Sequence, residues 1–106
     1  MKPFRYHILL ALARASLHGA AIRRRVEAES GGEVILYPAT LYGTLDELAG
    51  DGWIQEVEPD DVDKANVRRR FYALTPIGRH ALEAETRRLE EILTRAKAAL
   101  RAVGGA

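Results

Sequence analysis

A mainly α-helical fold with one small β-hairpin and a long final helix is predicted by three features of the sequence. Apolar residues recur at helical intervals in three short segments ahead of Asp51. The pattern then changes to loose alternation on either side of a charged loop. After Pro76 a broad apolar seam with a seven-residue repeat runs to the end.

The first helix opens at Pro3, where the missing N–H would go unbonded anyway. Ile8, Leu9, Leu12 and Ala15 follow at helical spacing. A second helix is expected from about His18-Gly19 to Ser30, with Ile22 and Val26 one turn apart on its inner side. Ser30-Gly31-Gly32 ends it. After the connector Glu33 to Tyr37, Pro38 opens a third helix, whose Leu41, Leu45, Leu48 and Ala49 form an amphipathic stripe closed by Asp51-Gly52. Three short, closely spaced helices form a compact right-angled bundle more readily than a long parallel one.

Trp53 to Glu58 alternates apolar and polar, and Pro59 closes that strand. Asp60 to Asn66 is a polar turn, and Val67 to Leu74, with the β-formers Val67, Phe71 and Tyr72, is the return strand. Thr75 can cap a last helix whose first residue is Pro76 and which runs to about Val103. On it Leu82, Leu89, Ala96 and Val103 lie seven apart, Ile92 and Ala99 fill intervening positions, and Leu93 and Leu100 widen the seam. Glu83 with Arg87 and Glu91 with Arg95 are spaced for ion pairs on its outer side. The seam is wider than a small core needs so far along the chain. A two-fold homodimer through Leu82, Leu89, Ile92, Leu93, Ala96 and Leu100 is expected, the alternative being a helix folded back on its own domain.

The 106 residues make one domain with a core of modest size, which favours association with a second copy. Cysteine is absent, which excludes disulfides, thiolate metal sites and cysteine nucleophiles. No apolar run approaches the roughly 18 residues of a membrane span. The stretch Ile8 to Ala13 is too short for a secretory signal and is followed at once by Arg14, so a cytoplasmic location is expected. The net charge of +1 hides a partition: +6 over residues 1–25, −11 over 26–63 and +6 over 64–106. Such asymmetry points to a basic surface for a polyanion.

Helix–helix–helix–hairpin–helix is the order of a winged helix-turn-helix domain, and three stretches carry a closer likeness. ILLALARASLHGAAI, from Ile8, resembles the opening of PadR-type transcriptional regulators, with its short turn and His-Gly pair. YPATLYGTLDELAGDGWI, from Tyr37, resembles that family's recognition helix, and RRRFYALTPIGRHAL, from Arg68, its second wing strand and the start of the dimerisation helix. The likeness covers residues 8–103. It implies a dimeric DNA-binding regulator, usually a repressor, on a palindromic operator, with residues 4–75 as the DNA-binding module and 76–103 as the dimerisation helix. This chain departs from the family pattern in carrying Asp46, Glu47 and Asp51 where bases are common, Tyr37 before the proline, and Ala20-Ala21 after His-Gly.

In such a motif the third helix enters the major groove, and residues near its N-terminus meet base edges. Here Thr40, Tyr42 and Thr44 can exchange hydrogen bonds with bases, threonine methyls can touch thymine, and Gly43 lets the backbone approach closely. Packing for Tyr42 and capping for Thr40 are the alternatives. Because acids on this helix repel phosphate, affinity is expected to lean on other elements. Arg23 and Arg24 on the second helix and Lys64, Arg68 and Arg70 on the wing are the candidates for phosphate contact, with Arg69 facing the other way on an alternating strand. For each arginine the alternative is a solvated face.

Enzyme readings find no residues to carry them. Ser16 and Ser30 lack a paired base, His7, His18 and His80 lack metal-ligand spacing, and Asp60-Asp61-Val62-Asp63 lacks the Gly and Glu of a calcium loop. No catalytic residue, metal or cofactor is therefore expected. Some PadR relatives hold aromatic or hydrophobic compounds between the dimer halves. The chain has no Phe, Trp or Tyr from Pro76 onward, which leaves Phe4, Tyr6 and Trp53 to meet a small-molecule effector, with core packing as the alternative for Trp53. The runner-up to DNA binding is a winged-helix protein-interaction module, suggested by the acidic block.

Overall fold

The computed structural model describes residues 1–59 and 69–104. Its order is α1 (Pro3–Leu12), β1 (Leu17–His18), α2 (Gly19–Glu29), α3 (Pro38–Gly50), β2 (Ile54–Val57), β3 (Phe71–Leu74) and α4 (Pro76–Gly104). All four expected helices are present. The Asp60–Asn66 turn, with Lys64, and the expected strand residues Val67 and Arg68 lie outside the described residues.

The sheet differs from the expected hairpin. Its strands run in the antiparallel order β1-β3-β2, with Ile54 opposite Leu74, Val57 opposite Phe71, and Leu17 opposite Tyr72. The third strand also explains why α1 stops at Leu12 and leaves Ala15 exposed outside it: the chain must turn after Ala13 to bring Leu17 and His18 alongside β3.

The core joins Ile8, Leu9 and Leu12 of α1, Ile22 and Val26 of α2, and Leu41, Leu45 and Leu48 of α3 to Leu36, Ile54, Tyr72 and Leu82. Thr44 rather than Ala49 completes the inner face of α3; Ala49 is exposed. On α4, Glu83 pairs with Arg79 at 3.4 Å, one turn earlier than Arg87.

The junction into α4 is closely built. Thr75 donates from its N–H to the Trp53 carbonyl at 3.0 Å and from Oγ1 to the Gly52 carbonyl at 2.6 Å. Its Oγ1 in turn accepts from the Gly78 N–H at 3.0 Å, which makes Thr75 the N-terminal cap expected of it. Gly52 has φ +77°, in the left-handed region that glycine adopts without strain. Gly78 is buried against the Trp53 carbonyl, and a Cβ there would overlap that oxygen. Beyond the junction, Tyr6 of α1 hydrogen-bonds Thr86 of α4 at 2.9 Å. Arg88 donates twice to the buried Glu85 carboxylate, from Nε at 2.7 Å and Nη2 at 2.6 Å.

Two outcomes follow from this packing. Gly78→Ala is expected to lower unfolding stability by about 2 kcal/mol or more, because the atom in its way is a hydrogen-bonded backbone carbonyl that cannot swing aside. Urea denaturation at neutral pH measures it, and an unchanged midpoint would contradict the close approach. For Glu85, the double hydrogen bond from Arg88 holds the carboxyl at about 2, below its ordinary 4.5. A depressed carboxylate contributes stability above its unfolded value and loses it as pH falls through the folded one. The melting temperature of Glu85→Gln should therefore lie below wild type at pH 7, with the gap closing between about pH 4.5 and pH 2.

Candidate nucleic-acid interface

Because α3 buries Leu41, Thr44, Leu45 and Leu48, its opposite face is free. Thr40, Tyr42 and Gly43 lie on that face and are exposed, together with Asp46 and Glu47. Thr44 does not join them: it is 5% exposed, one turn from Leu41 and Leu48 on the inner side. Tyr37 stands at the N-cap of α3 without a side-chain cap bond, and its backbone carbonyl accepts the Leu41 N–H at 2.9 Å.

Beside this face lies a cleft of about 310 Å³ lined by His18, Gly19, Ala20, Tyr42, Arg69 and Arg70. Its floor is the start of α2. His18 caps that helix by accepting the Ala21 N–H at Nδ1, 3.2 Å away, and its ring meets Phe71 edge-on with centroids 5.3 Å apart. Arg69 Nη1 lies 3.4 Å from the same nitrogen. Gly19 lets the Tyr42 ring lie across the helix start: an added Cβ would stand 2.7 Å from the Tyr42 hydroxyl. Two exposed guanidinium groups, a helix N-terminus and a phenol thus converge in one place, which suits an anion.

Arg70 also donates to Glu56 at 3.2 Å and stacks over Tyr72 at 5.8 Å, and the Glu56 bond raises its pKa further above the ordinary arginine value. Burial pushes the Tyr72 phenol up in turn. Strand alternation predicts that Arg69 faces away from its neighbours. Arg69 precedes β3, which begins at Phe71, so alternation does not govern it and it reaches the cleft. His18 and Gly19 line the cleft without being among the expected site residues, and the His-Gly pair at a helix start is the sequence signal for both. Arg23 and Arg24 are exposed on α2 and do not line the cleft. Asp51, third of the acids, is turned away to Arg5, which donates to it at 2.7 Å and covers the Trp53 ring at 5.1 Å.

On α4 the expected interface residues divide. Leu82 is 7% exposed and belongs to the core, whereas Leu89, Ile92, Leu93, Ala96 and Leu100 are all exposed, Leu93 at 53% and Leu100 at 73%. Between α1 and α4 a second cavity of about 310 Å³ has Leu10, Ala13 and Leu82 as its apolar lining and Arg79, Glu83, Thr86 and Arg87 as its polar one. Among the described residues no helix is long and apolar enough to cross a membrane.

Three helices, a small antiparallel sheet and a long trailing helix, with an open third-helix face beside a basic cleft, define a winged-helix domain. The chain belongs to the transcriptional regulator PadR-like family, whose model matches residues 8–84. It is 38% identical over 88 residues to Transcriptional regulator Rv3488 of Mycobacterium tuberculosis, covering 83% of this chain and 77% of that protein. It is also 38% identical over 78 residues to an uncharacterized 37.1 kDa protein in transposon TN4556 of Streptomyces fradiae, covering 74% of this chain but only 20% of that protein's length. A PadR family transcription regulator from Clostridium difficile R20291 shares the fold at TM-score 0.78 and 20% identity, over 93% of this chain and 99% of that one. RosR of H. salinarum matches at TM-score 0.64 and 27% identity, over 94% of this chain and 96% of that one.

Gly19→Ala tests the seating of Tyr42. The obstructing atom is the tip of a 48% exposed side chain, so the ring can swing away, and alanine's better helix propensity offsets the disturbance. Stability is expected to stay within about 0.5 kcal/mol of wild type. The Tyr42 ring resonances should nonetheless shift in an aromatic carbon–proton spectrum, and resonances that stay put would contradict the contact.

Proposed function

We propose that this protein is a homodimeric, DNA-binding transcriptional repressor that acts in the cytoplasm on a palindromic operator. The observation that carries the reading is the open face of α3 beside the cleft of His18, Gly19, Tyr42, Arg69 and Arg70. In this reading α3 lies in the major groove with Thr40, Tyr42 and Gly43 toward base edges. The cleft holds a backbone phosphate, and Arg23, Arg24 and the wing residues Lys64 and Arg68 add charge that positions without specifying sequence.

Residues 4–75 form the DNA-binding module and residues 76–103 the dimerisation helix. The support for the dimer is the stripe Leu89, Ile92, Leu93, Ala96 and Leu100, exposed on a helix that extends the molecule to 57 Å against widths of 27 and 25 Å. A second copy would bury it and set the two recognition helices about 34 Å apart, one duplex turn. An apolar effector would enter the cavity between α1 and α4, which is lined by none of Phe4, Tyr6 and Trp53, the aromatic residues expected to meet it, and there it would touch both the DNA-binding module and the dimer helix. The exposed acids Asp46 and Glu47 favour a second reading, a protein-interaction module without DNA binding.

Fluorescence anisotropy with mixed genomic duplexes over a salt series, followed by sequencing of the bound fragments, separates the two. The regulator reading expects a steep loss of affinity with salt and enrichment of a short palindrome. No binding at low salt would sink it in favour of protein interaction. Arg69→Ala should weaken binding to every duplex and flatten the salt slope by about one, whereas Thr40→Ala should alter sequence preference. In sedimentation, Leu93→Asp is expected to shift the protein toward monomer; an unchanged dimer would remove the stripe as its interface.

A further inference from the structure

The residues of α3 that point farthest from the core are Ala39, Gly43, Asp46 and Gly50. At about 100° per residue they fall within roughly 60° of one another, opposite the buried line of Leu41, Thr44, Leu45 and Leu48. All four are exposed. Three of them carry no side chain beyond Cβ, so the backbone of α3 can come close to a surface laid against it. Asp46 is the one functional group on that crest, with Tyr42 on one flank and Thr40 and Glu47 on the other.

Among the described residues nothing in the fold uses Asp46. Among the described residues it has no hydrogen bond or ion pair, whereas Asp51 is held by Arg5 and Glu56 by Arg70. Arg70, the base whose field it feels, already has Glu56 as its partner. A carboxylate only accepts hydrogen bonds. In the major groove it is repelled by the O6 and N7 acceptors of guanine and the O4 of thymine, and attracted by exocyclic amino groups. The amino group of adenine has the acceptor N7 beside it, while that of cytosine has a C–H, so cytosine suits a carboxylate better.

We propose that Asp46 is a specificity-determining residue that selects a C·G pair in each half-site by accepting a hydrogen bond from the cytosine N4 amino group. The inference rests on the DNA-binding reading above. It gives the acid a purpose on a helix that approaches a polyanion: the carboxylate weakens binding to all DNA through repulsion and recovers affinity only where an amino group meets it. That is selection by exclusion of the wrong sequences.

The test compares wild type, Asp46→Asn and Asp46→Ala in selection from a random duplex library, with anisotropy on the selected and on an unrelated duplex. Wild type should enrich C·G at one symmetric pair of positions. Asp46→Ala should lose that preference by about tenfold while gaining affinity for the unrelated duplex. Asp46→Asn, now both donor and acceptor, should move the preference toward adenine at the same positions. All three share the wild-type fold if their melting curves coincide, as expected for an exposed side chain with no partner among the described residues. If Asp46→Ala tightens binding to every duplex equally and changes no position, Asp46 acts only through its field and the proposal fails while DNA binding stands. If wild type enriches no sequence, the DNA reading fails and this one with it.

Discussion

The carbonyl group of Trp53 is the point on which the arrangement of this protein depends. It accepts the Thr75 N–H and lies where a side chain on Gly78 would have to be, so the last strand and the first turn of α4 are both indexed to one oxygen. The Trp53 N–H in turn donates to the Leu48 carbonyl at 3.0 Å, near the end of α3. One residue thus ties the end of the third helix to the start of the last. The relation between the face offered by α3 and the direction of α4 is set within a few ångströms of backbone, where it is least able to drift.

α1 reinforces that relation from the other side. Arg5 reaches both Asp51, at the end of α3, and the Trp53 ring, while Tyr6 one residue later reaches Thr86 on α4. The two contacts diverge from adjacent positions of one helix. A displacement of α1 against α4, at the cavity lined by Leu10, Ala13, Leu82 and Thr86, would therefore pull on the end of α3 through Arg5. In the proposed function this is the mechanical path by which an effector would reach the DNA-facing surface.

Most of the helical layout was legible because its boundaries are chemical. Pro3, Pro38 and Pro76 each open a helix, and Thr75 and the glycines at 31, 32 and 52 mark caps and turns that few other residues make. The sheet was half legible. β1 has two residues, too few for alternation to be seen, and its existence is settled by pairing with a strand more than 50 residues away. On α3 the exposure of Thr40 and Tyr42 follows from helical spacing, and so does the inward turn of Thr44, three residues after Leu41 and four before Leu48; the expectation that Thr44 meets bases comes from the family likeness and not from the helix. The place of Arg69 in the cleft was not legible for a different reason: alternation along a strand says nothing of a residue that lies before β3 begins. Leu82 fits the seven-residue seam as well as Leu89 does, and only the packing of α1 against the start of α4 assigns it to the core.

The charge partition of the sequence acquires a spatial meaning once these placements are known. The central acidic block does not form one repulsive surface. Glu29 is paired with Arg14, Asp51 with Arg5 and Glu56 with Arg70, so among the described residues three of its carboxylates are paired while Asp46 and Glu47 stay open on α3. The cations of the cleft come from the basic block that begins at residue 64, where Arg69 and Arg70 lead into β3, and they stand over a helix start contributed by the basic block before residue 26. Attraction and repulsion are thereby placed side by side: in the proposed function a phosphate would meet the cleft, and a base under the crest of α3 would meet Asp46. Affinity that depends on the first and discrimination that depends on the second are separable, because the residues responsible belong to different elements. A surface built from bases alone would gain affinity and lose that separation.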